Sequence, residues 1–508
     1  MTDQQRRGSG AVRSLWHGTR AAWGLMLVTL VGGVIRFVGL GRQDLWLDET
    51  VTASLLDRSL GDMLSALESS ESTPPLYYVL AWAWARVVGL EPTAIRSLSA
   101  LVGTLTIPVV YVAGTTLVSR RAGFAAAALA AVSPLLVWYS QEARSYALLT
   151  LLTALSFAFF ARAIARRSTH AFVGWAASSA LALATHYFAV FLIAAEAVAL
   201  LWLIPRRRAT LVGASAVGAT GLLLAPLVLG QASGSATWVR EVDLARRVGE
   251  SLRQLIIPSF PPIWAGTNVP ETAYAGLWPV AVGVLAVAVG IAVVLGRGRE
   301  RRGVLLALAI GGIAVLGPLA LAVAGQVVAD GRGDFVLYRN FLPAWLPMAV
   351  VVAGGLCVRR TGVLGVVGVL AIVAGSCVVL ALMSSEERFE RDDWSAVRET
   401  LGQRSVVVLS PSWQVDALTY HVRGVVPVPD HGVSTDEIDV VVRRRAPSYS
   451  TLVGSYSPPA GFVRVSSVRV QHWDVVRYRA PTAVRLRLEQ LKDAHPEDAS
   501  KIVLFRER

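Results

Sequence analysis

The sequence predicts an all-α polytopic membrane domain followed by a small α/β domain. Of the 508 residues, 54% are hydrophobic and only 16% are charged, whereas soluble globular chains carry nearer a quarter of charged residues. The apolar residues lie in long blocks that suit the crossing of roughly 30 Å of hydrocarbon. After about Ser384 the composition becomes polar. Soluble enzyme classes are therefore excluded.

Many of the apolar blocks have the length of a membrane helix. Examples are 21–41, 97–118, 122–139, 144–165, 187–204, 209–230, 274–296, 303–325, 341–358 and 362–383. The net charge of +13 comes largely from short arginine clusters between the blocks, such as Arg206 to Arg208 and Arg297 to Arg302. Such clusters are typical of cytoplasmic loops and not of a nucleic-acid surface. We therefore expect membrane lipids, and no nucleic acid, as partners.

The same arginine clusters predict the topology. Four arginines in the first 20 residues place the N-terminus in the cytoplasm. If the run Pro74 to Leu90 crossed the membrane, the later clusters would face outside. We therefore place this run on the outer surface as an interfacial helix within a loop from Gln43 to Arg96. This arrangement gives about eleven membrane helices, at about twenty residues a crossing.

Three parts of the chain follow from this topology. We expect a cytoplasmic tail over 1–20, a transmembrane domain over 21–383 with its acidic loop at 43–96, and an extracytoplasmic α/β domain over 384–508. In the last part, Trp394–Leu401 is predicted to be helical. The predicted strands are Ser405–Leu409, Ile438–Val442, Phe462–Val470 and Trp473–Tyr478.

The sequence LWLDET puts two adjacent carboxylates, Asp48 and Glu49, shortly after the first helix. Carboxylates at this place can act as a general base or hold a divalent cation. The alternative is that external loops are often simply acidic.

Four arginines are predicted at or within the outer membrane boundary: Arg36, Arg96, Arg144 and Arg339. Charge at membrane depth is costly and usually has a partner or faces water. The guanidinium group offers paired donors that suit a phosphate. The alternative for each is snorkelling to the interface or a structural pair with a loop acid.

Two further polar residues lie near or inside predicted helices. His186 falls at an external helix junction, where a lone histidine is more often an interfacial hydrogen-bonding residue than a ligand. Glu196 lies inside the next helix, and a buried glutamate there is a functional candidate unless it is protonated or paired.

The order of these motifs resembles the GT-C superfamily of polyprenyl-phosphate-dependent glycosyltransferases. The resemblance is to the family 39 branch, which is protein mannosyltransferase-like and aminoarabinose-transferase-like, and it runs from about residue 25 to residue 400. The segments that carry it are Arg36, LWLDE at 45–49, TPPLYYVL at 73–80, RSLSALVG at 96–103, SPLLVWYSQEARSYALL at 133–149, THYF at 185–188, YRNFLPAWLP at 338–347 and RDDWSAVRETL at 391–401.

The resemblance implies an enzyme that moves a sugar such as mannose or arabinose from a polyprenyl-phosphate donor to an extracytoplasmic glycan, lipid or protein. Asp48 would be the base, with Glu49 supporting it, and the anomeric centre would be inverted. The residues expected at the donor phosphate and substrate are Arg36, Arg96, Tyr139, Arg144, Tyr146, His186, Tyr187 and Arg339. The donor is a substrate, no resident cofactor is implied, and a divalent cation stays an alternative.

Departures from the pattern bear on the acceptor. Protein mannosyltransferases commonly have His-Pro-Pro followed by Gly-Lys, where this chain has Thr73-Pro74-Pro75 and then Leu76-Tyr77. The loop 231–273 is also too short for their folded sugar-binding-like insertion. An acceptor other than protein is therefore at least as well supported. Two rival functions remain open: a ligase or polymerase of lipid-linked glycans, and a lipid or glycan transporter, although no internal repeat favours a transporter.

Overall fold

The computed structural model describes residues 3–204, 208–231, 243–260, 277–328, 335–386, 389–410, 412–429, 431–443, 456–492 and 502–506. The chain divides into two compact units. The helical unit contains Met1–Leu40, Arg58–Pro261 and Tyr274–Leu382. The second unit joins Gly41–Asp57 to Met383–Arg508, so part of the acidic loop belongs with the C-terminal domain.

Sixteen helices precede the C-terminal domain in the described residues. They are α1 (Asp3–Phe37), α2 (Leu47–Leu56), α3 (Leu60–Ser70), α4 (Leu76–Val88), α5 (Pro92–Leu117), α6 (Arg120–Val132), α7 (Pro134–Ser140), α8 (Tyr146–Arg166), α9 (Thr169–Leu183), α10 (Ala189–Leu203), α11 (Arg208–Gln231), α12 (Leu244–Ile256), α13 (Trp278–Val294), α14 (Arg299–Val328), α15 (Leu342–Leu356) and α16 (Gly362–Ser385).

The helical unit is that of a membrane protein. Six helices in the described ranges are long and apolar enough to cross a bilayer: Thr19–Phe37, Pro92–Leu117, Tyr146–Arg166, Arg208–Gln231, Arg299–Gly325 and Arg359–Ser385. The bent pair α6 and α7 makes a seventh if it is one span, and α4, α10 and α13 are apolar but shorter. The total of about eleven crossings therefore stays a prediction.

Burial separates central helices from peripheral ones. The apolar window of α8 is 72% buried within the protein, whereas that of α11 is 11% buried. On α11, Leu222 and Leu223 expose most of their side chains. Exposed leucines on a membrane helix are satisfied by lipid, so α11 lies at the periphery and α8 at the centre.

The block 122–139, predicted as one helix, is broken. Helices α6 and α7 meet at Ser133 with a bend of 55°. Ser133 caps α7 by accepting a hydrogen bond from the Leu136 backbone at 3.4 Å, and Pro134 occupies the first turn. A serine cap followed by proline is a helix start, and proline cannot continue the preceding ladder. The break brings the next residues, Tyr139 to Arg144, close to the end of α1.

The second unit contains a six-stranded sheet. Its strands are β1 (Val406–Ser410), β2 (Val425–Pro427), β3 (Val433–Arg443), β4 (Val463–Val470), β5 (Trp473–Leu486) and β6 (Ile502–Arg506), in the order β2-β6-β1-β3-β5-β4. Only β1 and β3 pair in parallel, among the described strands. Helices α17 (Trp394–Thr400) and α18 (Val415–His421) precede β1 and β2, and a short helix spans Leu488–Lys492. The predicted helix and strands are thus present.

Strand β1 has an apolar cluster on each face of the sheet. Val406 and Val408 point to one cluster, and Val407 and Leu409 point to the other, as the period of two requires. The second cluster includes residues of α17 and α18, and Leu47 of α2 packs against it. The sheet therefore provides an apolar surface on which the acidic motif is folded.

Strand β4 differs from its prediction as an alternating strand. It lies at the sheet edge, and all its residues except Val470 are exposed. An edge strand pairs on one side only and needs no buried face when nothing covers it.

Candidate active site

The acidic motif occupies the start of α2. Asp48 and Glu49 lie in its first turn, where the helix dipole favours negative charge. The hydroxyl groups of Thr50 and Thr52 donate to the carbonyls of Leu47 and Asp48 at 2.8 and 3.0 Å. Glu49 is buried and Asp48 is only partly buried. The two neighbouring carboxylates therefore have different surroundings.

Glu49 forms a buried ion pair with Arg391. Nη1 of Arg391 donates to Oε2 of Glu49 at 3.1 Å, and the two side chains are 2% and 0% exposed. In the sequence, Arg391 was read only as part of a helix start, because its partner lies 342 positions away. A buried carboxylate with such a partner is held in place by it. The role of Glu49 in supporting Asp48 stays a prediction.

Arg36 packs α1 against the break between α6 and α7. Its Nε donates to the Ser140 hydroxyl at 3.1 Å, and its Nη atoms donate to the carbonyls of Gly32, Ala130 and Ala131 at 2.8 to 2.9 Å. Its side chain is fully buried. These contacts favour a structural role for Arg36. Its partners are mainly carbonyl groups and not the loop acid that the alternative had named.

Arg96 holds the turn that follows α1. Its Nη1 donates to the carbonyl of Leu40 at 2.8 Å, and the residue is 2% exposed. Gln141 supports the same turn by donating to the carbonyl of Val38 at 2.9 Å. Arg36, Arg96 and Gln141 together fix where α1 ends.

Arg144 and Glu71 make a bidentate pair, which is the alternative of a pair with a loop acid, although the sequence did not single out Glu71. Nη2 of Arg144 donates to Oε2 of Glu71 at 2.8 Å, and Nη1 contacts the other carboxylate oxygen. Both side chains are less than a tenth exposed. Tyr78 and Thr73 lie beside the carboxylate, with their hydroxyl groups 3.5 Å apart. The sequence signal that could have identified Glu71 as the partner is its position just before the TPPL motif.

Four of the predicted site residues meet in one cluster, together with Tyr338. The ring of Tyr139 lies 4.6 Å from that of Tyr146 and 6.0 Å from that of Tyr338. The ring of His186 lies 5.9 Å from Tyr146, and Cζ of Arg339 lies 5.8 Å from the Tyr146 ring centre. The cluster unites three motifs that are far apart in sequence. We call these five residues the tyrosine–arginine cluster.

The cluster takes its positive charge from arginine. Burial, helped by Arg339 and Arg144, lowers the pKa of His186 to about 3, so its imidazole is neutral at pH 7. The backbone N–H of Phe188 donates to Nδ1 of His186 at 3.3 Å. Arg339 is partly exposed, and burial raises the pKa of the Tyr338 hydroxyl. The cluster thus combines neutral aromatic rings with one accessible cation.

Tyr187 has a bridging position. Its hydroxyl donates to Oε1 of Gln231 at 2.6 Å, and Nε2 of Gln231 donates to the carbonyls of Leu67 and Thr73 at 3.3 Å. Tyr187 therefore connects the TPPL region to the end of α11, and Gln231 is a second residue that the sequence did not indicate.

The turn that carries Tyr338 and Arg339 has its own support. Arg247 of α12, which is 4% exposed, donates from Nη1 to the carbonyl of Val336 at 3.1 Å. This arginine lies in the loop 231–273, which gave no motif. It stabilises the backbone just before the cluster residues.

Glu196 lies in a separate polar network between membrane helices. Its Oε2 accepts from Nε1 of Trp175 at 2.8 Å and from the Ser156 hydroxyl, which lies 2.9 Å from the Ser179 hydroxyl. All four side chains are fully buried. The network joins α8, α9 and α10, so Glu196 has a structural role in holding these three helices together.

Within the described ranges, no three His, Cys, Asp or Glu residues lie close enough together to hold a metal ion. The alternative of a divalent cation at Asp48 and Glu49 therefore gains no support from this part of the chain.

Residues 72–229 match the sequence profile of a family described as dolichyl-phosphate-mannose-protein mannosyltransferase. This range contains Arg96, Tyr139, Arg144, His186 and Tyr187. Among curated protein sequences, none matches the chain significantly.

Solved structures resemble the chain at low identity. ArnT from Cupriavidus metallidurans bound to undecaprenyl phosphate is 14% identical, with a TM-score of 0.49 over 90% of this chain and 98% of that one. The oligosaccharyltransferase AglB from Archaeoglobus fulgidus, with an inhibitory peptide and dolichol-phosphate, is 12% identical, with a TM-score of 0.46 over 76% and 58%. The arabinofuranosyltransferase AftD from Mycobacteria is 15% identical, with a TM-score of 0.41 over 94% and 42%.

These TM-scores are below 0.5, so the likeness of the chain to known proteins rests on the family match. It covers the motifs from TPPL to THYF, which are the ones that join Glu71 and Arg144 to the tyrosine–arginine cluster. Over residues 72–229 the match supports the likeness to GT-C-type membrane glycosyltransferases that the motifs predicted.

Proposed function

We propose that the protein transfers a sugar, mannose, arabinose or a related residue, from a polyprenyl-phosphate donor to a cell-envelope acceptor. The observation that carries this proposal is the tyrosine–arginine cluster, in which three motifs place Arg339 beside Tyr146 and His186. The name of the matching family includes a lipid-linked sugar phosphate. That chemistry suits a cation set among aromatic rings.

In this proposal Arg339 binds the donor phosphate, and Arg144 supports it. A fixed guanidinium group donates charge-assisted hydrogen bonds to a phosphate without reorganising. The rings of Tyr139 and Tyr146 offer flat apolar surfaces for the sugar or the first isoprene unit. Neutral His186 adds a hydrogen-bonding group without competing for the anion.

Asp48 is the proposed base. The acceptor hydroxyl oxygen attacks the anomeric carbon, its proton passes to the Asp48 carboxylate, and the bond from that carbon to the phosphate oxygen breaks. The phosphate leaves with the bonding electrons as polyprenyl phosphate, so atoms and charge balance without a further reactant. One displacement inverts the anomeric centre. Partial exposure of Asp48 supports this choice over Glu49, which is buried with Arg391.

We further propose that the N-terminus is cytoplasmic and that the acidic loop and the C-terminal domain are extracytoplasmic. The support is the distribution of arginine clusters. Single cysteines at positions 60 and 420 should both react with an impermeant reagent on intact cells. Labelling of only one of them would overturn this topology.

The test of function is donor consumption by the purified full chain. Labelled polyprenyl-phosphate mannose or arabinose is supplied with cell-envelope extract as acceptor. We expect transfer of the label and release of polyprenyl phosphate. No consumption of either donor, with folded protein present, would overturn the proposal, and movement of intact donor across vesicles would favour a transporter.

Two variants assign the roles in that assay. Asp48→Asn keeps shape but cannot accept a proton, so the rate should fall about a hundredfold to ten-thousandfold. Arg339→Ala should raise the donor KM about ten- to a hundredfold, as the loss of a charge-assisted contact predicts. Wild-type rates for Asp48→Asn would remove it as the base, and a normal donor KM for Arg339→Ala would move the phosphate elsewhere.

A further inference from the structure

We propose that the C-terminal α/β domain positions the acidic motif for catalysis, and that Arg391 is the positioning residue that fixes Asp48 through Glu49. The inference rests on the proposed function, because it concerns the placement of the proposed base. It gives the domain over 384–508 a role in the reaction itself.

The first support is the ion pair of Glu49 with Arg391. Its partners are fully withdrawn from water, at 0% and 2% exposure, and their atoms lie 3.1 Å apart. Removing one partner of a buried pair leaves a charge without compensation, so the pair resists separation. Glu49 is the residue directly after Asp48, and both lie in one helical turn. Fixing Glu49 therefore fixes the backbone of Asp48.

Three further hydrogen bonds hold the segment just before the motif. Oδ2 of Asp44 accepts from the Ser395 backbone N–H at 2.6 Å, and Oε1 of Gln43 accepts from that of Arg391 at 3.3 Å. Nε2 of His421 lies 2.8 Å from the carbonyl oxygen of Leu45. These partners belong to the segment around α17 and to α18, so the chain is held from several directions.

Apolar packing adds to these bonds. Leu47 packs on the cluster that includes Trp394, Trp473 and Leu418, and Trp394 stacks at 6.5 Å on the ring of His421. The motif RDDW thus supplies both the charged partner of Glu49 and part of the apolar surface under Leu47. One short stretch of the domain therefore contacts the residues on either side of Asp48, which are Leu47 and Glu49.

Helix α2 needs this support because it is short. It has ten residues, and isolated helices shorter than about 12–15 residues are marginal in water. A general base must also lie within hydrogen-bond reach of the proton that it takes. Fraying of the helix would move Asp48 out of hydrogen-bond reach of that proton. The domain therefore supplies the rigidity that the sequence of α2 lacks.

The test compares Arg391→Met with Arg477→Met in the full chain. Arg477 pairs with buried Asp439 at 2.8 Å inside the same sheet, and it also contacts Glu437 and the carbonyl of Thr400. We expect Arg391→Met to lower kcat about a hundredfold, the cost of about 1 Å of misplacement, with an unchanged donor KM. Arg477→Met should keep kcat although it also breaks an ion pair of the domain. Equal losses in both variants would overturn the inference.

Two substitutions keep the test decisive. Arg391→Lys retains the charge beside Glu49, so its kcat should lie between those of Arg391→Met and the wild type. A kcat no better than that of Arg391→Met would overturn the role of the ion pair. If Arg391→Met does not fold, Glu49→Gln takes its place, with the same expected loss of kcat at constant donor KM.

Hydrogen exchange separates this inference from the proposed function. Amides of Leu47–Leu56 should exchange faster in Arg391→Met than in the wild type or Arg477→Met, whether or not the chain transfers sugar. Unchanged exchange would overturn the anchoring. An inactive wild type would instead overturn the proposed function, and inactive Asp48→Asn beside fully active Arg391→Met would overturn only the positioning.

Discussion

Two buried arginine–glutamate pairs hold different parts of the chain, and they differ in the segments that they join. Arg144 grips both carboxylate oxygens of Glu71 in the helical unit, beside Tyr78. In the second unit, Nη1 of Arg391 donates to Oε2 of Glu49 at 3.1 Å. The first pair joins two motifs of the matched family segment, and the second joins the acidic motif to the C-terminal domain. A bidentate pair fixes orientation as well as distance, so the first pair sets how the end of α3 and the segment before α8 face each other.

The difference shows that a buried charge is weak evidence of catalysis on its own. Arg36 is as buried as Arg144, yet its contacts are with carbonyl groups of its own helix and of α6 and with the hydroxyl of Ser140. Glu49 carries the same carboxylate group as Asp48, yet it is paired with Arg391. The contacts of these residues distinguish their roles, whereas residue type alone does not.

The largest expected effect is on the bidentate pair. Glu71→Gln leaves Arg144 buried without its counter-charge, so the free energy of unfolding should fall by about 3–5 kcal/mol. Thermal unfolding in detergent measures this change. Glu68→Gln is the matched control, since Glu68 lies in α3, which Glu71 directly follows, but is exposed, and it should stay within about 0.5 kcal/mol of the wild type. Similar values for the two variants would show that the pair adds nothing to stability.

Replacing both partners separates folding from donor binding. Buried ion pairs can often be exchanged for apolar residues at little cost, so Arg144→Met with Glu71→Leu should unfold near the wild-type temperature. If Arg144 also supports the donor phosphate, the donor KM of this folded variant stays raised about tenfold. A stable variant with normal donor KM would leave Arg144 as a structural residue only.

Arg36 should behave as a packing residue. Arg36→Lys cannot reach all four acceptors, so the stability should drop by about 1–3 kcal/mol while the donor KM stays constant. Arg20→Lys, at an exposed position of the same helix, is the control for a charge-conserving change. A raised donor KM at normal stability would return Arg36 to the donor site.

The smallest effect concerns pH. His186 has a folded pKa of about 3 against an ordinary value of 6.5, so between these values the unfolded chain binds a proton that the folded chain does not. Its contribution to stability is therefore lost as the pH falls from 6.5 towards 3. His186→Gln should show a shallower decline of the unfolding temperature over pH 6.5 to 4. An equal decline in both proteins would mean that His186 is protonated in the folded state.

Much of the fold was accessible from local patterns. The run VVVLS became β1, buried on both faces as a continuous apolar strand predicts. The Pro74 to Leu90 run became α4. The break at Ser133 was also readable in principle, because serine followed by proline is a helix start, but the apolar run around it hid the signal.

The sequence by itself determined the membrane class and the positions of the motifs, and it named Arg144, Tyr146, His186 and Arg339 as candidates, because hydropathy and local order are properties of neighbouring residues. Only the tertiary structure decided their partners. Glu71 meets Arg144 across 73 positions and Glu49 meets Arg391 across 342. Such pairs form when packing brings distant segments together and removes water from both charges, and no local pattern records that event.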